Sequence, residues 1–477
     1  MSKNKTHYNH PIYKEKIGGF CVQSGVYGAV NEKITTSLNK YGQYEADISK
    51  LNKDELDELS RISAMINSDL NETVLGKKLF SKTKGIKYDK TLGYFTDLYA
   101  GHVAVGDYRA NASSGGIATW LLEKLLEKKL IDGVIHVIPT DPKKEGVLFK
   151  YAISKTPKEI RFGAKSRYYP GDLSEVLKTA KKNGGKYAIT GIPSFITELR
   201  LLAEYDAEFK SVIAFTIGLI CGHQKSTKYA EALAWQHGIE PGNLMAIDFR
   251  KKVNGAPANR YISEFTGKID GEIKTIVKGQ DELFVSNWGQ GMFKSKLSDF
   301  TDDAFNELAD ISLGDAWLPE YIKDSKGNNV VIVRNNVIKS ILEDGLSSKE
   351  LELDTLSSEK VIGSQSGLVR HNQGELPYRL AKKDKTGLWR PIKRVSASNK
   401  LSSSRKYIQD IREEISDKSH INYYEATQKN NWLYFEKEMK ALRTKYSLAY
   451  INVNVQKNLK KGPVHIIKKL YEKTVKR

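Results

Sequence analysis

One stretch constrains the fold more than any other. Within residues 110–138 a small-residue turn, a helical pattern, a second turn and an apolar strand follow one another. Ser113, Ser114, Gly115 and Gly116 open the helical pattern, in which Ile117, Trp120, Leu121, Leu122 and Leu125 recur at helical spacing. The chain then turns through Asp132 and Gly133 into a buried strand that Pro139 ends. A helix start leaves free backbone N–H groups and carries partial positive charge, which suits an anion, above all a phosphate. Gly115 and Gly116 would let such a ligand approach the backbone closely. An ordinary capped helix packed on a sheet fits the same residues, and both readings stay open on sequence alone.

The alternation continues on both sides. Strand-like runs at 94–105, 147–153, 186–193 and 212–220 are separated by helical patterns at 157–162, 172–182, 195–205 and 228–237. This predicts an α/β fold, with a mostly parallel sheet and helices on both faces. Ligands in such sheets bind where strands end and helices begin. The loops at 113–116, 190–194 and 221–223 are therefore expected to converge on one crevice. Between 245 and 277 the period changes to two, which predicts an antiparallel excursion. A further strand at 328–334 and a helix at 336–344 complete an α/β domain placed at residues 86–365. Before it, Asn52 and Glu55 form a capping-box pattern that predicts a helix over 52–67. Beyond 366 charged helical patterns dominate, giving a basic, mainly helical C-terminal region hinged at 396–404. In its last residues, 463–477, Val464, Ile467, Leu470, Tyr471 and Val475 share one helical face among basic residues. Such a face can lie on an anionic membrane or dock on its own domain.

A net charge of +19 over 477 residues favours negatively charged partners. Phosphorylated or nucleotide-linked substrates and anionic lipid both qualify. Zinc-finger spacing and aromatic RNA-binding signatures are missing, so nucleic acid is not expected. The two cysteines, Cys21 and Cys221, are too few for a disulfide framework. The start has no secretory-type apolar segment, and no apolar run approaches the ~20 residues of a spanning helix. A cytoplasmic protein is the expectation, with the basic tail suited to the inner membrane leaflet.

Several side chains stand out in the predicted crevice. His223 at a strand end could donate a proton or could satisfy loop backbone. Cys221 lacks a histidine–carboxylate pairing and reads as buried rather than nucleophilic. Asp310 and Asp315 could orient a ligand hydroxyl or cap a turn. Glu198 and Arg200 read as a solvated helix face.

Taken in order, several motifs resemble the beta-subunit family of deazaflavin (coenzyme F-420) hydrogenases and dehydrogenases. They are Ser113 to Gly116 with Ile131 to Val134, Ser166-Arg167-Tyr168, and Thr190 to Pro193. Ile217 to Gly222, Glu307 to Trp317 and Tyr378 to Leu380 complete the set, which covers about residues 15–380. The chain looks nearest to members encoded for exopolysaccharide biosynthesis. The resemblance implies FAD on the α/β domain, with Ser113, Ser114, Gly115, Gly116, Ser166, Arg167, Tyr168 and Gly191 as cofactor-binding positions. It also implies iron–sulfur clusters, but the family's N-terminal cysteine pattern falls here on Cys21, Ser24, Tyr27 and Asn31. A second set falls on Ser194, Lys294 and Leu297, leaving Cys221 alone. A cubane cluster needs thiolates at essentially all four corners, so no iron–sulfur cluster is expected, and residues 1–85 read as a degenerate ferredoxin-like segment and linker. The function implied is a FAD-dependent oxidoreductase of surface-polysaccharide synthesis. It would move a hydride to or from a sugar or glycan intermediate, with a nucleotide or phosphorylated sugar as substrate. A non-redox glycan-binding or scaffold member is the other expectation, since fold does not fix function.

Overall fold

The structure, a computed structural model, describes residues 9–459; the expectation for the tail at 463–477 lies outside them. Near the N-terminus the helix Lys53–Ile62 starts where expected. Glu55 N donates to Asn52 Oδ1 at 3.0 Å, and Asn52 N donates to Glu55 Oε2 at 2.9 Å. The helix stops at Ile62 and not at 67, because Ser63 is extended and its Oγ accepts from Met65 N and Ile66 N. A serine that binds nearby backbone in this way competes with the next helical turn. Two small hairpins precede the main sheet, β1 (Thr35–Leu38) with β2 (Tyr44–Asp47), and β3 (Lys87–Asp89) with β4 (Gly93–Phe95).

The central sheet has eight strands. They are β5 (Asp97–Val103), β6 (Gly133–Pro139), β7 (Phe149–Ser154), β8 (Tyr187–Gly191) and β9 (Ile213–Leu219), then, after an excursion, β13 (Ile311–Asp315), β14 (Asn329–Val333) and β15 (Leu351–Thr355). Their spatial order is β15-β5-β14-β13-β9-β8-β6-β7. β13, β9, β8 and β6 pair in parallel, and β8 and β9 are buried neighbours, as the sequence predicts. Every pairing outside that centre is antiparallel. The sheet is therefore mixed. The cause is connection length: the links from β6 to β7 and from β13 to β14 are about as short as, or shorter than, the dozen residues a parallel crossover needs. The excursion is the expected antiparallel sheet, β10 (Leu244–Asp248), β11 (Ile262–Ile269) and β12 (Glu272–Gly279).

Helices pack on the sheet through the apolar positions that predict them. Ile117–Glu127 buries Ile117, Trp120, Leu121, Leu122 and Leu125. The helix Pro193–Tyr205 corrects one expectation. Glu198 is 2% exposed, and Arg200 donates through Nη2 to Asp310 Oδ2 and Thr216 Oγ1, both at 2.9 Å. Neither lies on a solvated face, because the helix is covered on one side by the sheet and on the other by Lys53–Ile62. Beyond 366 the chain is mainly helical, as expected. It ends the described region in two long packed helices, Ser403–Gln428 and Trp432–Leu459. Their Tyr423, Phe435 and Met439 share a core with Phe249 and Phe265 of the excursion and with Phe293. Among the described residues no helix is long and apolar enough to cross a membrane.

Candidate functional site

The start of the helix Ile117–Glu127 lies beside the end of β5 and the beginning of β14. Gly116 is its N-cap at φ 86° and offers no side chain to the first turn. Only Ile117 N finds a distant side-chain acceptor, Asn329 Oδ1 at 3.4 Å. Ser114 Oγ donates to Asn328 O at 2.7 Å, and Ser166 N donates to Ser113 Oγ at 2.8 Å. The second bond ties the Ser166-Arg167-Tyr168 loop to the helix start. The two glycines have a reason inside the protein. A Cβ on Gly115 would sit 2.5 Å from Gly101 O, and one on Gly116 would sit 2.8 Å from Tyr108 O. Gly115 is thus required by the neighbouring strand and does not line the cavity described next.

That cavity measures about 250 Å³, just below the ~300–1,000 Å³ usual for small-molecule sites. The strand-end loops converge on it as expected: Ser113, Ser114, Gly116, Ser166, Arg167, Tyr168 and His223 all line it, with Thr190 and Cys221. Gly191 does not. Its carbonyl accepts from Asn306 Nδ2 at 2.9 Å, and a Cβ there would meet Ile196 at 2.9 Å, so this glycine serves packing.

Arg167 donates through Nη2 to Ala164 O at 2.9 Å and lies 4.9 Å over the Phe149 ring, while its buried Nε has no partner. Burial lowers its pKa, which Asp248 partly offsets. Tyr168 is held by Arg250, whose guanidinium pairs with both oxygens of Asp315 at 3.0 Å and reaches Tyr168 Oη at 3.3 Å. Asp315, itself at the cavity wall, therefore fixes the arginine that holds Tyr168, and Asp310 accepts from Thr216 N at 2.8 Å, from Arg200 and from Asn335. Both carboxylates are committed to the scaffold. Lys252 Nζ donates to Ser114 O at 2.7 Å, and burial with the nearby Arg109 and Arg250 lowers its pKa to about 7.

His223 stacks on Trp288 with ring centroids 5.4 Å apart, and its Nδ1 has no partner. Burial first, then Lys294, Lys225 and Arg412, hold its pKa well below the usual histidine value. It is a neutral ring and not an imidazolium acid. The Cys221 thiol is pushed up by burial, which removes the thiolate a nucleophile needs.

The positions to which the resemblance assigns cluster cysteines hold polar networks here. Ser24 Oγ donates to Glu198, Tyr27 Oη to Glu15 at 3.0 Å, and Asn31 Nδ2 to Glu55 at 3.2 Å. Lys294 is buried in an ion pair with Asp299. Among the described residues no group of three His, Cys, Asp or Glu side chains is arranged to hold a metal ion.

Several cavity residues were not legible beforehand. Gln224 and Lys225 follow His223 directly, Lys165 precedes the Ser-Arg-Tyr loop, and His136 comes from β6. No motif marks them, and only Gln224 and Lys225, next to the strand-end loop, had a positional cue.

The donor set suits a phosphate-bearing ligand with aromatic rings. An uncapped helix start, an arginine with a buried nitrogen that has no partner, Tyr168 and Tyr169 line one space.

Residues 98–178 match the family of the coenzyme F420 hydrogenase/dehydrogenase beta subunit at its N-terminal part, and residues 184–359 match it at its C-terminal part. An uncharacterized protein of Methanocaldococcus jannaschii is 26% identical over 216 residues, covering 39% of this chain and 59% of that relative. The coenzyme F420 hydrogenase subunit beta of Methanosarcina barkeri is 27% identical over 173 residues, covering 34% of this chain and 57% of that relative. The chain thus spans less than two thirds of either relative. A solved structure, the xenon-derivatized F420-reducing NiFe hydrogenase complex of Methanosarcina barkeri, aligns with 66% of this chain and 100% of its own, at 19% identity and a TM-score of 0.46. The helices Ser403–Gln428 and Trp432–Leu459 fall outside both matched regions. Across residues 98–178 and 184–359 the chain belongs to the coenzyme F420 hydrogenase/dehydrogenase beta-subunit family.

Proposed function

We propose that this chain is a FAD-dependent oxidoreductase that moves a hydride to or from a sugar or glycan intermediate in surface-polysaccharide synthesis. The observation that carries this reading is the cavity itself, lined both by Gly116 at the uncapped start of Ile117–Glu127 and by Arg167, whose buried Nε has no partner. Ser113, Ser114, Gly116 and Arg167 would hold the phosphates, and Tyr168 would wall the ring system. FAD, when bound, supplies two-electron hydride chemistry. The chain's own residues orient and enclose. Ser113 anchors the Ser166 loop, and the Arg250–Asp315 pair fixes the Tyr168 hydroxyl. His223, neutral and with an unpartnered Nδ1, is placed to hydrogen-bond a substrate group without carrying charge.

With two cysteines in the whole sequence, a cubane cluster cannot find its thiolates, so transfer proceeds without an internal one-electron relay. The substrate class, a nucleotide or phosphorylated sugar, is supported by the net charge of +19. Peripheral contact of the basic residues 463–477 with an anionic membrane belongs to the same proposal.

The test starts with protein purified from a flavin-replete host. It should carry visible flavin absorbance, and Arg167→Met should weaken FAD binding by about tenfold or more, with Arg167→Lys in between. Replacing Gly115 is not a test of the cofactor, since any side chain there strikes the Gly101 carbonyl. Anaerobic reduction by NADH, NADPH or reduced deazaflavin, then reoxidation by candidate sugars, identifies donor and acceptor. A colourless chain that also fails to bind added FAD would return the reading to a non-redox glycan-binding member.

A further inference from the structure

The cavity holds a second polar region that the flavin reading does not use. Lys225 lines it at 2% exposure, and Gln224 lines it at 6%. Both ends of the Gln224 side-chain amide are buried without a partner. Lys225 Nζ donates to Met292 O at 2.6 Å and lies 4.8 and 4.9 Å from the rings of Tyr229 and Trp288. Neither it nor Arg412 makes an ion pair with a carboxylate among the described residues. Arg412 comes from the helix Ser403–Gln428, reaches His223 Nε2 at 3.5 Å and His371 Nδ1 at 3.3 Å, and leaves its own Nε unpaired. Among the described residues, the carboxylate paired inside this cluster is Asp299, and Lys294 and His371 already share it.

Buried charge without a counter-charge is costly, and so is a buried amide without a partner. A protein keeps both when a ligand completes them. We propose that Lys225 and Gln224 form a binding site for a compact oxyanion, a carboxylate or phosphoryl group carried by the substrate. Lys225 supplies the charge, the Gln224 amide donates a hydrogen bond, and Arg412 adds positive potential from behind His223. Burial, Lys294 and Arg412 together pull Lys225 well below the usual lysine pKa, as expected for a cation whose counter-ion arrives with the ligand. This inference goes beyond the flavin reading and does not depend on it.

Trp288 is a built-in reporter, 4.9 Å from Lys225 Nζ and stacked on His223. The purified full chain is titrated with inorganic phosphate and separately with acetate, against chloride at matched ionic strength. A saturable change in tryptophan emission is expected. It should vanish in Trp288→Phe, weaken about tenfold or more in Lys225→Met, and survive in Lys225→Arg. Response to phosphate alone marks a phosphoryl group, and response to acetate alone marks a carboxylate. Either supports the site. A response no different from chloride, or one unchanged in a Lys225→Met protein with normal melting, overturns it. If Lys225→Met does not fold, Gln224→Leu is read by the same criteria. The titration is repeated with FAD added. A retained response keeps the oxyanion on the substrate. A response abolished by FAD hands the site to the cofactor's own phosphates and overturns the proposal. A chain that binds phosphate but never FAD leaves the proposal standing and removes the flavin reading.

Discussion

Single residues decide most of the chemistry here. Glu15 is completely buried, accepting from Ser63 Oγ and Tyr27 Oη at 3.0 Å each. Burial outweighs those bonds and raises its pKa from 4.5 to about 7. Across that window the folded state holds a proton that the unfolded chain has lost, so stability falls as pH rises through it and is fully present below it. Glu15→Gln stays neutral at every pH. It should leave the melting temperature almost unchanged near pH ~4 and raise it near pH ~8, by up to roughly 3 kcal/mol in stability. Equal shifts at both pH values would show that the carboxyl is not the source. The same scale shows what sequence could and could not tell. Ser113, Arg167 and Tyr168 sit in a recognisable order and do line the cavity, whereas Gly115 and Gly191 belong to motifs yet answer to packing. Lys225 has no motif around it. Its meaning comes from Trp288, Met292 and Arg412, which are distant in the chain, and pairings of that kind leave no local trace.

At the level of elements, strong local rules were readable and short connections were not. The capping box at Asn52 fixes a helix start, and Asn52→Ala should cost about 1 kcal/mol, measured by denaturant unfolding. A loss well below half of that would mean water replaces the cap. The parallel strands β6, β8 and β9 announce themselves as near-continuous apolar runs, because both their faces are covered. β15 does not. Leu351 and Leu353 do alternate with Glu352 and Asp354, but the run is five residues long with only Leu351 fully buried, so this edge strand beside β5 does not stand out from a polar loop. The solvated reading of Glu198 and Arg200 failed for a related reason. Charge spacing on a helix reports the pattern of one face, and it cannot report that a second layer covers that face. The pair of long helices was foreseen as helical, but not as the cover of Trp235, Phe284 and Phe293. Phe435 lies in that cover, against Phe293, Tyr423 and Trp432 at centroid distances of 5.8, 5.6 and 5.2 Å. Phe435→Ala should lose about 3–5 kcal/mol in thermal or denaturant melts.

Considered whole, the molecule joins a family-type α/β body to a helical segment through one shared core. Removing everything after residue 402 would bare Trp235, Phe284 and Phe293, whose rings pack directly on Tyr423, Trp432 and Phe435. The shortened chain should therefore aggregate, and limited proteolysis of the full chain should not release residues 403–459 as a stable fragment. Persistence of a monomeric, cooperatively melting body without them would refute this. The position of Arg412 has a wider implication. The helix carrying it lies beyond the stretch matched to the family, yet it backs the loop of His223 and Lys225. The family-matched stretch and the helices beyond it thus meet at one wall. On the proposal made above, a change of charge at Arg412 alone would retune what this wall attracts while the family-matched sheet stayed as it was.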